Sequence, residues 1–482
     1  MRGRSQGRAR QGQPHAGAAI RSAAPAAAPS SRLLTVEDVL NIDSAVAFLD
    51  DHINLERSTA IAGRVGGLSL DRMERIAHVL GDPQHACPVV HLTGTNGKGS
   101  TARMITALLV AHSLSVGTYT SPHLEHITER ITWDLHPIAP DDFGAVVGEL
   151  ATLEPLLLEE LKGERPSYFE LLTAAAFSYF AQVAVDVAVV EVGLLGRFDA
   201  TNVARADVAV VTNVGQDHTD LDSGWRRRIA GEKAGIITPD RPVVVGETDP
   251  DLLAVFEAEE GDPVLLRDRD FGCETDRLAL GGHVVNLRTS QGHYDEVLLP
   301  VHGVHQVDNA ACAVAAVEAL FGRALDIDVV REAFSELSLP GRFEVLHRGP
   351  LLVLDGAHNP DGARAAARAL AEEFDVAGRR RWVLGVLAGR DLDEMLDGFG
   401  IRGGDHVTAC TPDSPRAVPA AEVAAAAVRH GVEAEPVADV ADAVRLAWTD
   451  ATSAGDGDLV MVTGSLYTVG AARTACRSLG LL

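Results

Sequence analysis

The stretch PVVHLTGTNGKGS (residues 88–100) decides the fold of this 482-residue chain. Its apolar part, Pro88–Leu92, is typical of a short buried strand, and a helix is predicted to follow over Ser100–His112. Glycines between a strand and a helix let backbone N–H groups approach a phosphate, and the helix N-terminus favours negative charge. Lys98 can reach a terminal phosphate, although Gly99 separates it from the serine that usually follows directly. The stretch therefore predicts a variant phosphate-binding loop.

The alternation of strand, loop and helix continues along the chain. Further β-branched runs, typical of a parallel sheet covered on both faces, predict strands at Val116–Tyr119, Val185–Val190 and Val208–Val211. A second α/β unit begins near Leu351, with strands predicted at Leu351–Leu354, Trp382–Leu387, His406–Ala409 and Leu459–Val462. Other helices are predicted at Phe169–Phe180, Pro419–Arg429 and Ala441–Trp448. We expect an α/β protein: a P-loop-type N-terminal domain with a mostly parallel sheet, then a smaller, Rossmann-like C-terminal α/β domain.

The turn at Leu339–Arg342 separates the two units, so we place one domain over residues 34–339 and the other over 340–482. Residues 1–33 are rich in Ala, Arg, Gly, Pro and Ser and contain no Asp or Glu. This composition fits a transit peptide, but the stretch shows no amphipathic apolar face. A disordered tail is the better interpretation.

Composition excludes several classes of function. A net charge of -26 argues against general nucleic-acid binding, which needs a basic surface. The sequence has no run of 18 apolar residues, so we expect no membrane partner. The five cysteines are scattered and form no CxxC pair. They are best interpreted as reduced thiols of a cytoplasmic protein.

Lysine is scarce in this chain. Of the 42 Lys and Arg residues, only Lys98, Lys162 and Lys233 are lysines. Lysine offers a compact ammonium and an amine capable of covalent chemistry, so each one is a candidate for a role that arginine cannot fill. Lys162 lies in a polar loop without a motif and is interpreted as solvated. Lys233 follows Glu232 in a predicted helix start, where an exposed salt-bridging lysine is an equal alternative.

Polar segments follow five of the predicted strands: the glycine loop, Ser121–His123, Glu191–Gly193, Gln216–His218 and Asp355–Asn359. Open α/β sheets bind ligands at the carboxyl ends of their strands, so we expect these segments to converge on that edge. A hydroxyl, a carboxylate and an imidazole from the second, third and fourth segments could hold Mg²⁺ beside phosphate oxygens. Taken singly, each is better explained as an ordinary polar or turn residue.

Two further features have competing interpretations. Asn309 precedes an alanine-rich helix and could either cap that helix or contact a base. The basic run Arg226–Arg228 could attract an acidic substrate or form a solvated face.

As a set, the motifs resemble those of the bifunctional folylpolyglutamate synthase/dihydrofolate synthase family of the Mur ligase superfamily. The matching segments run in order over about residues 45–475 and are His91–Ser100, Tyr119–Leu124, Glu129–Ile131, Tyr168–Glu170, Glu191–Asn202, Asp217–His218, Glu232–Ile236, His305–Gln306, Asn309–Ala310, Pro340–Arg342, Asp355–Pro360 and Val462–Tyr467.

The resemblance implies an ATP-dependent amide ligase. Such an enzyme uses MgATP to phosphorylate a carboxylate, and the amine of L-glutamate then attacks the acyl phosphate. The acceptor would be dihydropteroate, the glutamate tail of a reduced folate, or both. The resemblance further implies a cytoplasmic monomer with small-molecule partners only, an ATP-binding Mur ligase-like domain at 34–339 and a glutamate ligase domain at 340–482.

The resemblance also implies roles for particular residues. The expected ATP contacts are Thr95, Asn96, Gly97, Lys98, Gly99, Ser100, Asn309, Arg342, Asp355 and His358. The expected metal ligands are Ser121, Glu191, His218 and Lys233, the last carbamylated by CO₂. Lys98, Lys233 and His218 are the expected catalytic residues. The expected pterin pocket is formed by Leu68, Phe169, Phe198, Asp199 and Ala200.

This sequence departs from the family pattern at two places. Leu195 stands where the family usually has Gly, and Gly389-Arg390-Asp391 replaces the family's Asp-Lys-Asp. Three alternatives stay open: a Mur-type ligase for another carboxylate, a non-catalytic nucleotide-binding protein, and a simple P-loop ATPase. The second is disfavoured because Lys98, Glu191, His218 and Lys233 are all present.

Overall fold

A computed structural model describes residues 40–57, 69–216 and 224–482, which form two large sheets and one small one. The strands of the first sheet are β1 (Val89–Thr93), β2 (Val116–Tyr119), β3 (Ile131–Trp133), β4 (His136–Pro137), β5 (Val187–Glu191), β6 (Val208–Val211), β7 (Val243–Val245) and β8 (Val264–Leu266). Their order is β4-β3-β2-β5-β1-β6-β7-β8, parallel from β2 to β8. At one edge, β3 pairs antiparallel with both β2 and β4.

Helices cover both faces of this sheet. They are α1 (Ile42–Asp50), α2 (Asp71–Val79), α3 (Lys98–Ala111), α4 (Pro140–Glu160), α5 (Tyr168–Val183), α6 (Trp225–Ala234), α7 (Pro250–Glu257), α8 (Val304–Phe321) and α9 (Ile327–Ser335). Alternate residues of β1 enter opposite cores: Val90 packs with α3 and α8, and Val89 with α4 and α5. Burial on both faces explains the continuous apolar runs in the sequence.

A small antiparallel sheet precedes α8. It consists of β9 (Gly272–Ala279), β10 (Gly282–Arg288) and β11 (His293–Leu299), with β10 in the centre. Its buried face, including Val285 and Val297, joins the same core as α3 and α8.

The second large sheet forms the C-terminal α/β unit. Its strands are β12 (Glu344–Arg348), β13 (Leu351–Leu354), β14 (Arg380–Leu384), β15 (His406–Ala409), β16 (Glu433–Pro436) and β17 (Leu459–Thr463), in the order β12-β13-β17-β14-β15-β16. All pairs are parallel except β12 with β13. Its helices are α10 (Pro360–Glu373), α11 (Leu392–Phe399), α12 (Ala420–Arg429), α13 (Val440–Ala454) and α14 (Leu466–Ser478).

The predicted fold class is confirmed, and four of the predicted strands, β2, β6, β13 and β15, have the predicted ends. The strand predicted at Trp382–Leu387 begins instead at Arg380 and ends at Leu384. Two charged residues enter it because Arg380 pairs with Asp405 at 2.6 Å and Arg381 with Asp458 at 2.9 Å. Paired charges are tolerated in a strand that apolar patterning would not extend.

One helix prediction was wrong, and one of the two alternatives for Asn309 is excluded. Lys233 lies in the last turn of α6 and not at a helix start. The helix begins after Gly224, which has a left-handed φ of 90°, and it includes the three arginines at 226–228. A cation near a helix C-terminus is favourable. Asn309 does not cap α8, which begins five residues earlier after Gly303. The predicted tail over residues 1–33 lies outside the described residues.

None of the described helices has the length and apolar character needed to cross a bilayer. The five cysteines form no disulfide.

Candidate functional site

A cleft of about 750 Å³ lies between the two large sheets, where the carboxyl ends of their strands face each other. Segments that follow β1, β2, β5 and β6 line one side, and segments that follow β13, β14 and β17 line the other. The polar segments therefore converge as expected. They converge from two edges rather than one, since Asp355 follows a strand of the second sheet.

The phosphate-loop candidate forms the floor of this cleft and needs glycine at two positions. A Cβ at Gly94 would lie 1.8 Å from Oγ1 of Thr212, and one at Gly97 would lie 2.5 Å from Oδ1 of Asn309. Gly97 also caps α3 with a left-handed φ of 83°. The ammonium of Lys98 donates to the carbonyl oxygen of Gly94 at 3.0 Å and turns back over the loop. All six residues predicted to contact ATP in this loop, Thr95 to Ser100, line the cleft.

Glu191, the last residue of β5, is 5% exposed and lies beside the loop. Its Oε1 is 4.0 Å from Nζ of Lys98, and its Oε2 accepts a hydrogen bond from the backbone N–H of Ser121 at 3.3 Å. Burial raises the pKa of the Glu191 carboxyl, while the charge on Lys98 opposes that rise. A carboxylate such as that of Glu191 and a hydroxyl such as that of Ser121 form an oxygen ligand set that suits a hard divalent cation.

The remainder of the predicted metal set is not assembled by the described residues. His218 lies in the segment 217–223, outside them. Lys233 is 4% exposed and is absent from the cleft lining within the described ranges. No group of three or more His, Cys, Asp or Glu with metal-binding geometry occurs in the described part of the chain.

The other predicted nucleotide contacts come from the C-terminal unit, on the opposite wall, and from α8, which lies beside the phosphate loop. Asp355 accepts hydrogen bonds from the backbone N–H groups of Phe343 and Ala357 at 2.8 and 3.0 Å. Burial raises the pKa of the Asp355 carboxyl against the opposing charge of Arg342. His358 is held by Arg390, whose Nε donates to the His358 carbonyl oxygen at 2.8 Å.

Asn309 reaches the cleft from the second turn of α8, where its Nδ2 donates to Oε1 of Gln306 at 3.0 Å. Together with Arg342, Asp355 and His358 it lines the cleft. The neighbouring His305 is also in the lining, and burial lowers the pKa of its imidazole to about 4. It is therefore neutral at pH 7 and can act as a hydrogen-bonding group for a ligand.

The predicted pterin residues Phe169, Phe198, Asp199 and Ala200 line another part of the cleft, whereas Leu68 lies outside the described residues. The ring of Phe169 packs against Tyr119 and over Gly193, where a Cβ would come within 2.4 Å of it. Asp199 accepts from the Thr201 hydroxyl at 2.5 Å and from the Leu194 N–H at 2.8 Å. Burial raises the pKa of the Asp199 carboxyl.

The departure at Leu195 is accommodated in the left-handed region, with φ of 63°. Its carbonyl oxygen accepts a 2.5 Å hydrogen bond from the Thr93 hydroxyl, and its side chain packs on the core formed around α6. A backbone that glycine adopts freely is thus retained with a large side chain, at a cost of about 1 kcal/mol.

The sequence arguments assigned no role to two cleft residues and to one residue behind the lining. Arg416 donates to the carbonyl oxygen of Glu56 at 3.3 Å, and Tyr467 lines the cleft. Asn359 is 0% exposed and contacts the phosphate loop through Asn96. Asn359 and Tyr467 lie inside matched motifs, which could have identified them. Arg416 lies in a loop with no pattern.

The basic run has a structural role at its first residue. The guanidinium of Arg226 pairs with Asp249 and lies 3.5 Å from the Glu247 carboxylate. Its Nη2 also donates to the Val214 carbonyl oxygen at 3.1 Å. Arg227 is exposed.

Comparison with known proteins identifies the family. Residues 92–317 match the model of the Mur ligase middle domain, and residues 341–466 match that of the Mur ligase glutamate ligase domain. A dihydrofolate synthase/folylpolyglutamate synthase of Mycobacterium tuberculosis is 41% identical over 440 residues, covering 84% of this chain and 89% of its own length.

Solved structures agree with the sequence relatives. The M. tuberculosis folylpolyglutamate synthase complexed with ADP and AMPPCP superposes with a TM-score of 0.82 at 38% identity, covering 90% of this chain and 97% of the other. The bifunctional enzyme of Yersinia pestis complexed with AMPPNP and a Mn ion gives a TM-score of 0.77 at 30% identity, with coverage of 93% and 100%. This chain therefore belongs to the folylpolyglutamate synthase/dihydrofolate synthase family of Mur ligases.

Proposed function

We propose that this chain is an ATP-dependent ligase that adds L-glutamate to dihydropteroate, to the glutamate tail of a reduced folate, or to both. One observation carries the proposal. The phosphate loop with Lys98, the buried Glu191, Asp355 and the ring of Phe169 all line one cleft. A nucleotide between the loop and Asp355, a flat ring against Phe169 and a carboxylate between the two ligands fit this arrangement.

The chemistry has two steps. An acceptor carboxylate oxygen attacks the γ-phosphorus of ATP, the bond to the bridging oxygen breaks, and ADP leaves. The amine of L-glutamate then attacks the acyl carbon and loses a proton, and phosphate leaves. Two anions must approach each other in the first step, so the chain has to neutralise charge on the transferring phosphoryl group. The ammonium of Lys98 and the N–H groups at the start of α3 would do so, and their position in the glycine loop supports this role.

Ser121 and Glu191 would hold Mg²⁺ beside the phosphate oxygens, with His218 and Lys233 as further ligands. When bound, Mg²⁺ supplies positive charge to the phosphates. The Lys233 role requires its amine to add CO₂, forming an N–C bond with loss of a proton and giving an anionic carbamate. An arginine side chain has no such amine. Lys233 is 4% exposed, so a carbamate on its amine would be shielded from bulk water, which supports the proposal.

The ring of the acceptor would lie against Phe169 and Phe198, with Leu68, Asp199 and Ala200 around it. Asn309, Arg342, Asp355 and His358 would hold the nucleoside and phosphates. We further propose the division into an ATP-binding domain at 34–339 and a glutamate ligase domain at 340–482. We also propose a monomeric, cytoplasmic enzyme with small-molecule substrates only.

The test is ADP release and incorporation of radiolabelled L-glutamate, measured separately with dihydropteroate and with tetrahydrofolate. We expect turnover with at least one acceptor, and none without both acceptor and glutamate. ADP release that ignores both co-substrates would establish a simple ATPase instead. Nucleotide binding without incorporation into any pteroate or folate, but with incorporation into another carboxylate, would favour a different Mur-type ligase.

A further inference from the structure

Both ends of helix α10 in the C-terminal unit contact parts of the N-terminal unit that line the proposed nucleotide site. At its start, Asn359 contacts the phosphate loop, and Asp361 accepts a hydrogen bond from the backbone N–H of Gln216 at 2.9 Å. At its end, the buried side chain of Glu373 accepts from the N–H of Gly303, the N-cap residue of α8, at 2.6 Å. One helix thus joins the phosphate loop and the helix that carries Asn309.

The contact at the start of α10 is a pair of side-chain amides. Nδ2 of Asn359 donates to Oδ1 of Asn96 at 2.9 Å, and Nδ2 of Asn96 donates back to Oδ1 of Asn359 at 3.3 Å. The two residues are 263 positions apart in the sequence and belong to different α/β units. Asn359 is 0% exposed, so water cannot easily replace either bond.

The backbone of Asn96 is already fixed by its own unit. Its N–H donates to Oδ1 of Asn213 at 3.0 Å, and its carbonyl oxygen accepts from the Thr212 hydroxyl at 2.6 Å. The side chain of Asn96 is therefore the part of this loop position that the second unit can orient. It lies two residues before Lys98 and one before the helix cap Gly97.

Helix capping explains only the side-chain oxygen of Asn359, not its amide nitrogen. Its Oδ1 accepts from the N–H of Gly362 at 2.8 Å, as an N-cap residue does, and serine or aspartate would serve that purpose equally well. Capping needs only an oxygen. The amide Nδ2 group is used toward Asn96, so this contact explains the amide.

We propose that Asn359 is a positioning residue for the phosphate loop, acting through Asn96. The two α/β units dock in the arrangement that forms the amide pair, and that arrangement orients the Asn96 side chain of the loop for a nucleotide. Nucleotide binding and docking of the C-terminal unit are consequently coupled, and each strengthens the other by the same factor. The inference rests on the proposed nucleotide site.

A double-mutant cycle measures the coupling. ADP affinity is determined by calorimetry for the natural chain and for Asn96→Ala, Asn359→Ala and the double variant. We expect each single variant to bind about tenfold more weakly and the double variant to bind no more weakly than either, because each change already breaks the pair. Both variants that change Asn359 lose the helix cap, so the effect of the cap on ADP affinity cancels in the coupling free energy. Losses that multiply in the double variant overturn the inference.

Asn359→Ser is the matched variant, since serine keeps the cap but cannot reach Asn96. We expect it to lose nucleotide affinity as Asn359→Ala does while unfolding at a higher temperature. Affinity equal to that of the natural chain would show that only the cap matters. This variant also keeps the test valid if Asn359→Ala does not fold.

Arg473→Ala is the second control. Arg473, on α14, donates to Oε2 of Glu125 at 2.9 Å and so joins the two units outside the cleft lining. We expect this variant to show no coupling to Asn96→Ala, and equal coupling would mean that docking in general, not Asn359, sets the loop. If the natural chain binds no nucleotide, the proposed function fails. Nucleotide binding without coupling refutes only this inference.

Discussion

Oε1 of Glu191 lies 4.0 Å from Nζ of Lys98, where β5 ends and α3 begins. Both side chains are largely buried, with exposed fractions of 6% and 19%. The pair brings one negative and one positive charge together beside the phosphate loop. A magnesium–nucleotide complex carries both a cation for Glu191 and phosphates for Lys98, and can satisfy both at once.

Replacing Lys98 tests the phosphate contact. We expect Lys98→Ala to lower ADP release at least about a hundredfold, because the ammonium stabilises charge on the transferring phosphoryl group. Lys98→Arg should recover little, since a planar fork does not fit the narrow loop. Lys162→Ala, at an exposed turn, is the control and should be neutral. A Lys98→Ala enzyme with near-normal turnover contradicts this role.

Glu191→Gln tests the cation site. The change keeps the shape but removes the charge, so turnover should fall about a hundredfold and Mg²⁺ should no longer tighten ADP binding. Calorimetry with and without Mg²⁺ measures the second effect. Thermal stability should not fall, because a buried carboxylate with a raised pKa gives way to a neutral amide. Unchanged Mg²⁺ dependence would rule out Glu191 as a ligand.

Lys233→Arg tests the carbamate. Arginine keeps the positive charge in the last turn of α6, where it suits the helix dipole, so the fold should persist. Ligation should be abolished, because no amine is left to add CO₂. Circular dichroism checks the fold and glutamate incorporation checks the activity. Near-normal incorporation in this variant refutes the carbamate.

Arg130 tests the scaffold beneath the cleft. Its guanidinium is 2% exposed and donates to both carboxylate oxygens of Glu56, at 2.8 and 2.6 Å. Arg130→Ala leaves a largely buried carboxylate alone and should lower the free energy of unfolding by about 3–5 kcal/mol. The double variant Arg130→Met/Glu56→Gln should recover much of that loss. Urea unfolding measures both, and a loss below about 1 kcal/mol in the single variant would contradict the account.

The pH dependence of stability tests the ion pairs between Glu125 and two arginines of α14, Arg473 and Arg477. Burial would raise the pKa of Glu125, but hydrogen bonds from Arg477 and Arg473 outweigh it and hold the pKa at about 2. Because the folded pKa lies below the unfolded one, the stabilisation is present in full above about pH 4.5. It is lost as the pH falls from there toward about 2.

Glu125→Gln should therefore unfold at a lower temperature than the natural chain at pH 7. The difference should shrink by about 1 kcal/mol between pH 7 and about pH 3.5, as the unfolded carboxyl takes up its proton. Thermal unfolding across this range measures it. A constant difference would show that the charge on Glu125 contributes nothing.

The elements that sequence predicted best are those with one dominant physical cause. Strand β6 is a β-branched run buried on both faces, so its ends follow from composition alone. Strand β14 was displaced because its first two residues are arginines, whose acidic partners lie 25 and 77 positions away. Pairing at such distances leaves no local pattern to detect.

The same limit applies to the site. The phosphate loop is a local motif, and its glycine requirements at Gly94 and Gly97 arise from contacts that the motif only implies. The amide pair of Asn96 and Asn359 joins residues from two motifs that were identified separately. Nothing in either motif indicates that they touch, because the docking of the two units decides it.

The three lysines differ sharply in accessibility. Lys162 is exposed at a turn, Lys98 is covered by its own loop, and Lys233 is buried. Lys162 is therefore the lysine side chain most open to an amine-selective reagent. A fluorophore or a surface tether attached through Lys162 would sit outside the cleft lining and leave the proposed site open.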